Sequence, residues 1–600
     1  MSFIYGIINF DEKPVAVEAI NSLAESVKWD GFIEQTERAE NYALGYCFHP
    51  EREAKAGIFR FKDCIVLADI RIYNTKELKK IFDFESPEEA FVKAYLKWGL
   101  QCANYINGDF AVVLIDNKKK EAHLFRDHIG TRPLTYFFQG NQLVFASHEF
   151  GLVQSKLVKT SLSEERLIID FFQTKRNYPQ TVFEKLFKVK PGYSVSFSSS
   201  QKQEHQYWKP EQIKKNKSLS FDEAAIQLRQ LLINATMQRM ESGKTGVHVS
   251  GGLDSTGVAS ILADYFEEKT QLIGYSWSPE KLEGTFEGID EKEFIEAFSI
   301  EKKVDVKYLK LDENEFSKDS IIPEFEKMHI EHPTMKMAGK DEVKTLFSGW
   351  GGDEFVSLST RGTYNHLFFS FKWKTLVRFI IKTGIKSTIM RFRTEVFPVL
   401  IPFGLLPIYR LKDWSTLSYI KFKFIAKHWK NIFFNRTENI FGYGNRTQLM
   451  LNLLHNYHIP DRMDSWALHA EKYGFEYKYP LLDKAVLEFW FSLPIEFTYY
   501  NMQSRFLYRE AMKGILTEKV RVRRDKGESL RIAYTKKNQE ESEQFIQNLF
   551  LSISEKEHLP FFKQESFIKG FNKQDKNKIR EKRNKRIFYL RYVELVKKYL

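Results

Sequence analysis

Ser250-Gly251-Gly252-Leu253-Asp254-Ser255 is the stretch on which the reading of the whole chain turns. It follows Thr245–Val249, which has the pattern of a buried strand, and leads into the helical apolar spacing of Thr256–Phe266. Two glycines let the backbone turn tightly and approach an anion. Ser250, Ser255 and the first free N–H groups of the helix supply donors at its positive end. Strand, glycine turn and helix in this order predict a pyrophosphate cradle. It is not a Walker loop, because the G-x-x-x-x-G-K-[ST] spacing and its lysine are missing. Taken alone, the same six residues also fit an ordinary glycine turn capped by Asp254 or Ser255.

The flanking rhythm supports the cradle. Phe221–Met240 and Asp290–Glu301 have helical spacing, while Leu272–Ser276, Val306–Leu309 and Thr345–Ser348 read as strands. Such alternation predicts an α/β unit with a doubly wound parallel sheet, whose ligands bind beyond the carboxyl ends of the strands. The first two hundred residues differ. Phe3–Asn9, Cys64–Asp69, Phe110–Ile115, Glu121–Arg126, Leu134–Gln139 and Gln142–Ser147 are short strand patterns separated by turn pairs such as Asn107-Gly108, and Ser86-Pro87-Glu88-Glu89 opens a helix. The polar run Ser198–Glu204 and lysine-rich Lys209–Ser218 read as a linker, with the boundary near Lys215.

Composition narrows the class. Six hundred residues, 43% hydrophobic and 28% charged, describe a globular chain of two or three domains. Three irregularly spaced cysteines give neither a disulfide framework nor a four-ligand zinc site, and a reducing, cytoplasmic setting is expected. No signal peptide is expected, and the most apolar run, Val396 to Ile408, is broken by three prolines and too short to span a bilayer. The net charge of +13 is local: Arg361–Ile440 holds 15 Lys or Arg against 3 Asp or Glu, interleaved with aromatics, and Phe571–Leu600 holds 11 against 3. The remainder is net acidic, so the two basic regions raise nucleic acid and membrane surfaces as a non-enzymatic alternative.

Further motifs now bear on the cradle. Ser250–Ser255 resembles the signature loop of pyrophosphatase-type ATP-binding enzymes, which adenylate a carboxylate and release pyrophosphate. Ser348-Gly349-Trp350-Gly351-Gly352-Asp353-Glu354 resembles the S-G-E-G-x-D-E loop of the asparagine synthetase family. Arg462-Met463-Asp464, then Phe475-Glu476-Tyr477-Lys478-Tyr479-Pro480-Leu481-Leu482-Asp483, resemble that family's downstream R-x-D and V-E-x-R-x-P-F-L-D segments, and Arg524-Asp525-Lys526-Gly527 matches the place of its transition-state lysine. Asn107–Ala111 and Arg126–Leu134 resemble the glutamine amidotransferase domain that precedes the synthetase domain. The resemblance implies an N-terminal Ntn-hydrolase-like αββα sandwich over 1–210 and an ATP-dependent synthetase domain over 216–600, with helical elaborations and a basic aromatic insert at about 361–440.

Its implied site follows residue by residue. ATP and pyrophosphate would meet Ser250, Gly251, Gly252, Leu253, Asp254, Ser255 and Gly351, with Ser276 framing the nucleotide, though a buried strand serine reads equally well. Mg²⁺ would be held by Asp254 and Asp353, whose hard oxygens suit it. Lys526 would neutralise charge on the reacting oxygens, and Glu476 would be the base that deprotonates the amine.

Two departures change what is expected. The family's nucleophilic cysteine is replaced by Ser2, and its Asn-Gly pair aligns with Asp69-Ile70, a carboxylate where an oxyanion would develop. The glutaminase-like domain is expected to be inactive, with a serine-nucleophile hydrolase as the other reading. Trp350 stands in the third place of S-G-E-G, and an indole can be no base. Carboxylate activation without an ammonia source resembles the branches in which the amine belongs to the substrate. These are the β-lactam synthetases and, closer given the large insert, the lasso-peptide cyclases. A precursor core peptide is the implied substrate, with a leader peptidase and a leader-recognition protein as implied partners and no nucleic acid. An ammonia-dependent, asparagine synthetase-like amidating enzyme stays open as the alternative.

Overall fold

The computed structural model describes residues 2–50, 56–172, 179–199, 201–266, 271–279, 291–309, 313–325, 331–357, 362–400, 417–433, 444–455, 458–497, 505–524, 536–553, 557, 559–563 and 579–600. The N-terminal region builds two antiparallel sheets from β1 (Phe3–Asn9), β2 (Ile33–Arg38), β3 (Tyr42–Phe48), β4 (Ala56–Phe61), β5 (Cys64–Ile72), β6 (Gly108–Asp116), β7 (Glu121–Arg126), β8 (Thr135–Gln139), β9 (Gln142–Ala146), β10 (Phe187–Lys188), β11 (Tyr193–Ser198) and β12 (Gln201–Gln206). Their orders are β10-β8-β9-β1-β3-β2 and β12-β11-β7-β6-β5-β4. Alternation along each strand sends Ile4, Ile8 and Leu44 of one sheet against Leu67, Val113 and Leu124 of the other. The opposite faces are covered by the helices Val17–Val27 and Pro87–Trp98, giving the αββα sandwich that the sequence implied. Ser86 caps the second helix by accepting from Glu89 N, as Ser-Pro-Glu-Glu predicts.

The polar run Ser198–Glu204 is not a linker. It is the turn and outer strand of the β11–β12 hairpin, paired from Tyr193↔Gln206 to Ser198↔Gln201. An edge strand with two wet faces carries no apolar alternation to betray it.

The second region supplies β13 (Thr245–His248), β14 (Leu272–Pro279), β15 (Asp305–Leu309), β16 (Thr345–Phe347) and β17 (Glu476–Lys478). They form one parallel sheet in the order β15-β14-β13-β16-β17. The chain leaves β13 toward β14 on one side and returns to β16 on the other, so the crevice opens beyond the carboxyl end of β13. The Ser250–Ser255 turn lies there, followed by the helix Leu253–Tyr265, which begins three residues earlier than the periodicity predicts.

One apolar cluster runs from the Pro87–Trp98 helix through Tyr207 and Trp208 into the core around the parallel sheet. The C-terminal helix Ile579–Tyr599 returns to the sandwich, burying Tyr589, Tyr592 and Val593 in the cluster that also holds Ile20 and Leu23. Among the described residues no helix is long and apolar enough to cross a membrane.

Candidate active site

Two glycine loops interlock at the crevice. A Cβ on Gly349 would lie 2.3 Å from Ser255 N, and one on Gly352 would lie 2.2 Å from the Asp254 carboxyl carbon. Only glycine lets the second loop press its backbone against the first. The Ser250 hydroxyl meets that of Ser255 at 2.7 Å, and Gly252 N donates to Ser250 Oγ at 3.3 Å, so the turn is organised by its own side chains. Gly351, at φ 95°, is glycine for a nearer reason: a side chain there would strike Leu482 at 2.3 Å. Ser276 is fully buried and its Oγ accepts from Ser278 N at 3.1 Å, which satisfies it inside β14.

Asp254 and Asp353 converge, and Arg505 lies between them. It pairs with Asp353 and lies 3.5 Å from Asp254. Among the described residues one Asp254 oxygen is buried without a hydrogen-bond partner. Burial, with Asp353 nearby and only partly offset by Arg505, pushes the Asp254 carboxyl up to about 6. Asp254 and Asp353 bring hard carboxylate oxygens together beside the loop, so the pair fits a Mg²⁺ ion. Arg523 is the second cation at the loop. It donates to Gly251 O at 3.0 Å, pairs with Glu291 at 3.2 Å, and keeps buried Nε and Nη2 without partners among the described residues. Neither arginine was found in the sequence, because neither belongs to a motif. Lys526 lies outside the described residues, which end at Arg524 in this segment.

Glu476 is a correction. β17 pairs with β16 in the register Thr345↔Glu476, which puts Glu476 at the strand-entry edge of the sheet, away from the crevice. Its buried carboxylate pairs with Arg132, with Arg71 at 3.2 Å and with Lys478 at 3.1 Å. A carboxylate claimed by three cations is an anchor and a poor acceptor for an amine proton. The rest of that segment also faces the sandwich: Asp464 pairs with Arg126 and with Lys188 at 2.9 Å, and Asp483 receives Asn107 at 3.1 Å.

The seam reaches the glutaminase-like pocket. Ser2 is buried, and its N–H donates to Asp69 at 3.3 Å. Burial pushes the Asp69 carboxyl up, but Arg132 and Arg71 together outweigh it and hold the group below the ordinary aspartate range. Arg71 bonds Asp69 at 2.9 Å and continues to Glu476. Ser2 and Asp69 are thus neighbours, as the sequence expected, in a pocket wired to the other region.

A carboxylate that sequence reading missed stands at the crevice. Glu331 accepts from Trp277 Nε1 at 2.9 Å near the carboxyl end of β14. Trp277 stacks on His248, the last residue of β13, at 4.6 Å. The Arg462 guanidinium lies 4.1 Å from the Trp350 ring, and Trp350 meets Trp466 edge-on at 5.6 Å. Where the resembled motif has Glu, this chain therefore has an indole under a cation. Burial raises the Glu331 carboxyl to about 7 against the opposing influence of Arg462 and the Trp277 hydrogen bond. The local sequence gives no signal beyond a proline-started helix at His332-Pro333.

Comparisons agree with this architecture. The glutamine amidotransferase domain family matches residues 60–208, and the asparagine synthase family matches residues 227–594. A Bacillus subtilis protein named asparagine synthetase [glutamine-hydrolyzing] 3 is 22% identical over 494 residues, covering 79% of this chain and 76% of its own. Putative asparagine synthetase [glutamine-hydrolyzing] 2 of Methanocaldococcus jannaschii is 26% identical over 313 residues, 49% of this chain and 58% of its own. Amidase chry2 of Gibberella zeae is 28% identical over 194 residues, 31% of this chain and 27% of its own.

Proposed function

The chain belongs to the asparagine synthase family and is an ATP-dependent, AMP- and pyrophosphate-forming carbon–nitrogen ligase, and from that premise we propose that it joins a carboxylate to an amine of the same substrate, as a macrolactam cyclase of the lasso-peptide type. One observation carries this reading. A glutaminase must stabilise an oxyanion beside residue 2, and here a buried carboxylate, Asp69, lies 3.3 Å from Ser2 N. A carboxylate already bonded to Arg71 and close to Arg132 has no hydrogen-bond donor to offer an oxyanion, so on this reading ammonia does not come from this pocket. An amine carried by the substrate removes the need for it. The core peptide of a precursor is the proposed substrate, and the cytoplasm, where its cysteines stay reduced, the proposed setting.

In the first step an oxygen of the substrate carboxylate attacks the α-phosphorus of ATP and pyrophosphate leaves. Asp254 and Asp353 would hold Mg²⁺, which supplies charge neutralisation at the phosphates. Arg523, with its unpartnered N–H groups beside Gly251, supports phosphate binding from the other side of the loop. Lys526, by resemblance, steadies the charge on the reacting oxygens. In the second step the amine nitrogen bonds to the acyl carbon, AMP departs, and the amine proton passes to Glu331. That residue replaces Glu476 in the role. Its location at the crevice and its ionisation near neutrality both suit a general base. The Trp277, Trp350 and Arg462 wall is suited to hold a peptide so that amine and acyl group meet, which turns an improbable large-ring closure into a near-unimolecular step.

The test is mass spectrometry of candidate peptides incubated with the protein, ATP and Mg²⁺. Loss of one water with release of AMP is expected. The similarity to named asparagine synthetases over most of the chain favours, as second reading, an ammonia-dependent amidating enzyme, which added ammonium and free aspartate would expose by forming asparagine.

A further inference from the structure

The two basic regions of the sequence are used differently by the fold. In the C-terminal helix the charges meet the chain's own groups: Arg586 pairs with Glu543, Lys598 with Glu324, Lys597 with Glu557 at 2.9 Å, and Arg591 donates to Ser320 O at 2.6 Å. In the insert Lys372 pairs with Glu496 and Lys427 with Glu164, while other basic side chains lie exposed on its surface. Its helices Trp373–Thr383 and Ile385–Arg391 turn Leu376 and Phe379 inward onto Tyr364, Leu367 and Val396, a small core of their own. A second apolar row points away from it. Trp373, Val377 and Ile381 share one face of the first helix and, beyond the break at Gly384 (φ 81°), Ile385 and Ile389 share one face of the second; Ile381, Ile385 and Ile389 are 77%, 74% and 63% exposed. Lys374, Arg378, Lys386 and Arg393 are exposed beside this row. The one carboxylate among the described residues 362–400 is Glu395, which is buried and paired with Arg391 at 2.6 Å.

We propose that this ridge seats the chain on a membrane surface rich in anionic phospholipid. A projecting row of long aliphatic side chains with an indole at one end has the shape to sink among acyl chains, while the flanking lysines and arginines reach the phosphates. Soluble surfaces rarely leave so many large apolar side chains exposed on two neighbouring helices. The absence of any exposed acid among the described residues 362–400 favours a negative partner. The proposed seating is peripheral; among the described residues no helix is long and apolar enough to cross a membrane.

The experiment is co-flotation of the full chain with vesicles of phosphatidylcholine, with and without phosphatidylglycerol, at low and high salt. Binding to the phosphatidylglycerol vesicles at low salt is expected, with little to phosphatidylcholine alone. The double variant Ile381→Glu, Ile385→Glu should lower vesicle partition by at least about tenfold, because both aliphatic contacts are lost and two negative charges are added. Its melting temperature should be unchanged, since both side chains are already in water. Lys374→Ser with Arg378→Ser, which leaves the ridge intact, should weaken binding at low salt and flatten its salt dependence. Failure to float with either vesicle, or equal flotation of the parent and the isoleucine variant, would overturn the proposal. So would a dimer that the isoleucine variant splits without any vesicle binding, which would make the ridge a self-interface.

Discussion

The pocket at Ser2 and the crevice at Ser250 descend from one two-domain plan, and they treat their carboxylates in opposite ways. Asp69 is answered from within: Arg71 and Arg132 neutralise it and carry the charge network on to Glu476. Asp254 is answered only in part, with one buried oxygen unpartnered among the described residues and its carboxyl raised to about 6. A carboxylate compensated by the protein itself has no remaining call on a ligand. One left under-compensated next to two glycine loops does. On the proposed reading the chemistry lies at the crevice, and the first pocket serves as structure.

The comparison can be broken most sharply at the crevice. Asp353→Ala should abolish substrate-dependent exchange of labelled pyrophosphate into ATP, a loss of about a thousandfold or more. Retained exchange would remove Asp353 from the nucleotide site. At the seam, Glu476→Gln should act on stability, costing about 3–5 kcal/mol in denaturant titration, because Arg71, Arg132 and Lys478 would be left buried without their shared anion. If the protein keeps its stability and loses only amide formation, the carboxylate is chemical after all.

Glu331→Gln sharpens the second step. Amide formation should fall about a hundredfold while pyrophosphate exchange persists, since only the proton transfer is removed. The sign of the pH effect follows from a base ionising near 7: in the parent enzyme the rate climbs as pH rises through that value and levels above it, and the variant loses the climb. Arg462, which faces the same cluster and favours the ionised form, should, when changed to Met, move the midpoint upward. The smallest effect is expected at Ser2. Ser2→Ala should leave amide synthesis unchanged, and no glutamate should form from glutamine with either protein.

The sequence was most informative where backbone geometry restricts residue choice. Gly349 and Gly352 have no room for a side chain against Asp254 and Ser255, so the loops advertise themselves in one dimension. Carboxylates advertise much less. Glu476 and Glu331 look equally plausible as letters, and only strand register and packing put one at the entry edge, under three cations, and the other at the exit edge against Trp277. Arg505 and Arg523 were illegible for a related reason, since each reaches the cradle from more than two hundred residues away through tertiary folding alone. Strand β12 was hidden by its polarity, which is what an outermost strand requires.

The buried seam carries one more consequence. Synthesised separately, the hydrolase-derived half would present Arg71, Arg126 and Arg132 to solvent with some of their counter-charges missing, and the ligase half would present Asp464 and Glu476 likewise. Each half is therefore the other's folding template. A domain tied in by buried ion pairs of this kind is costly to remove, whether or not its own pocket still performs a reaction.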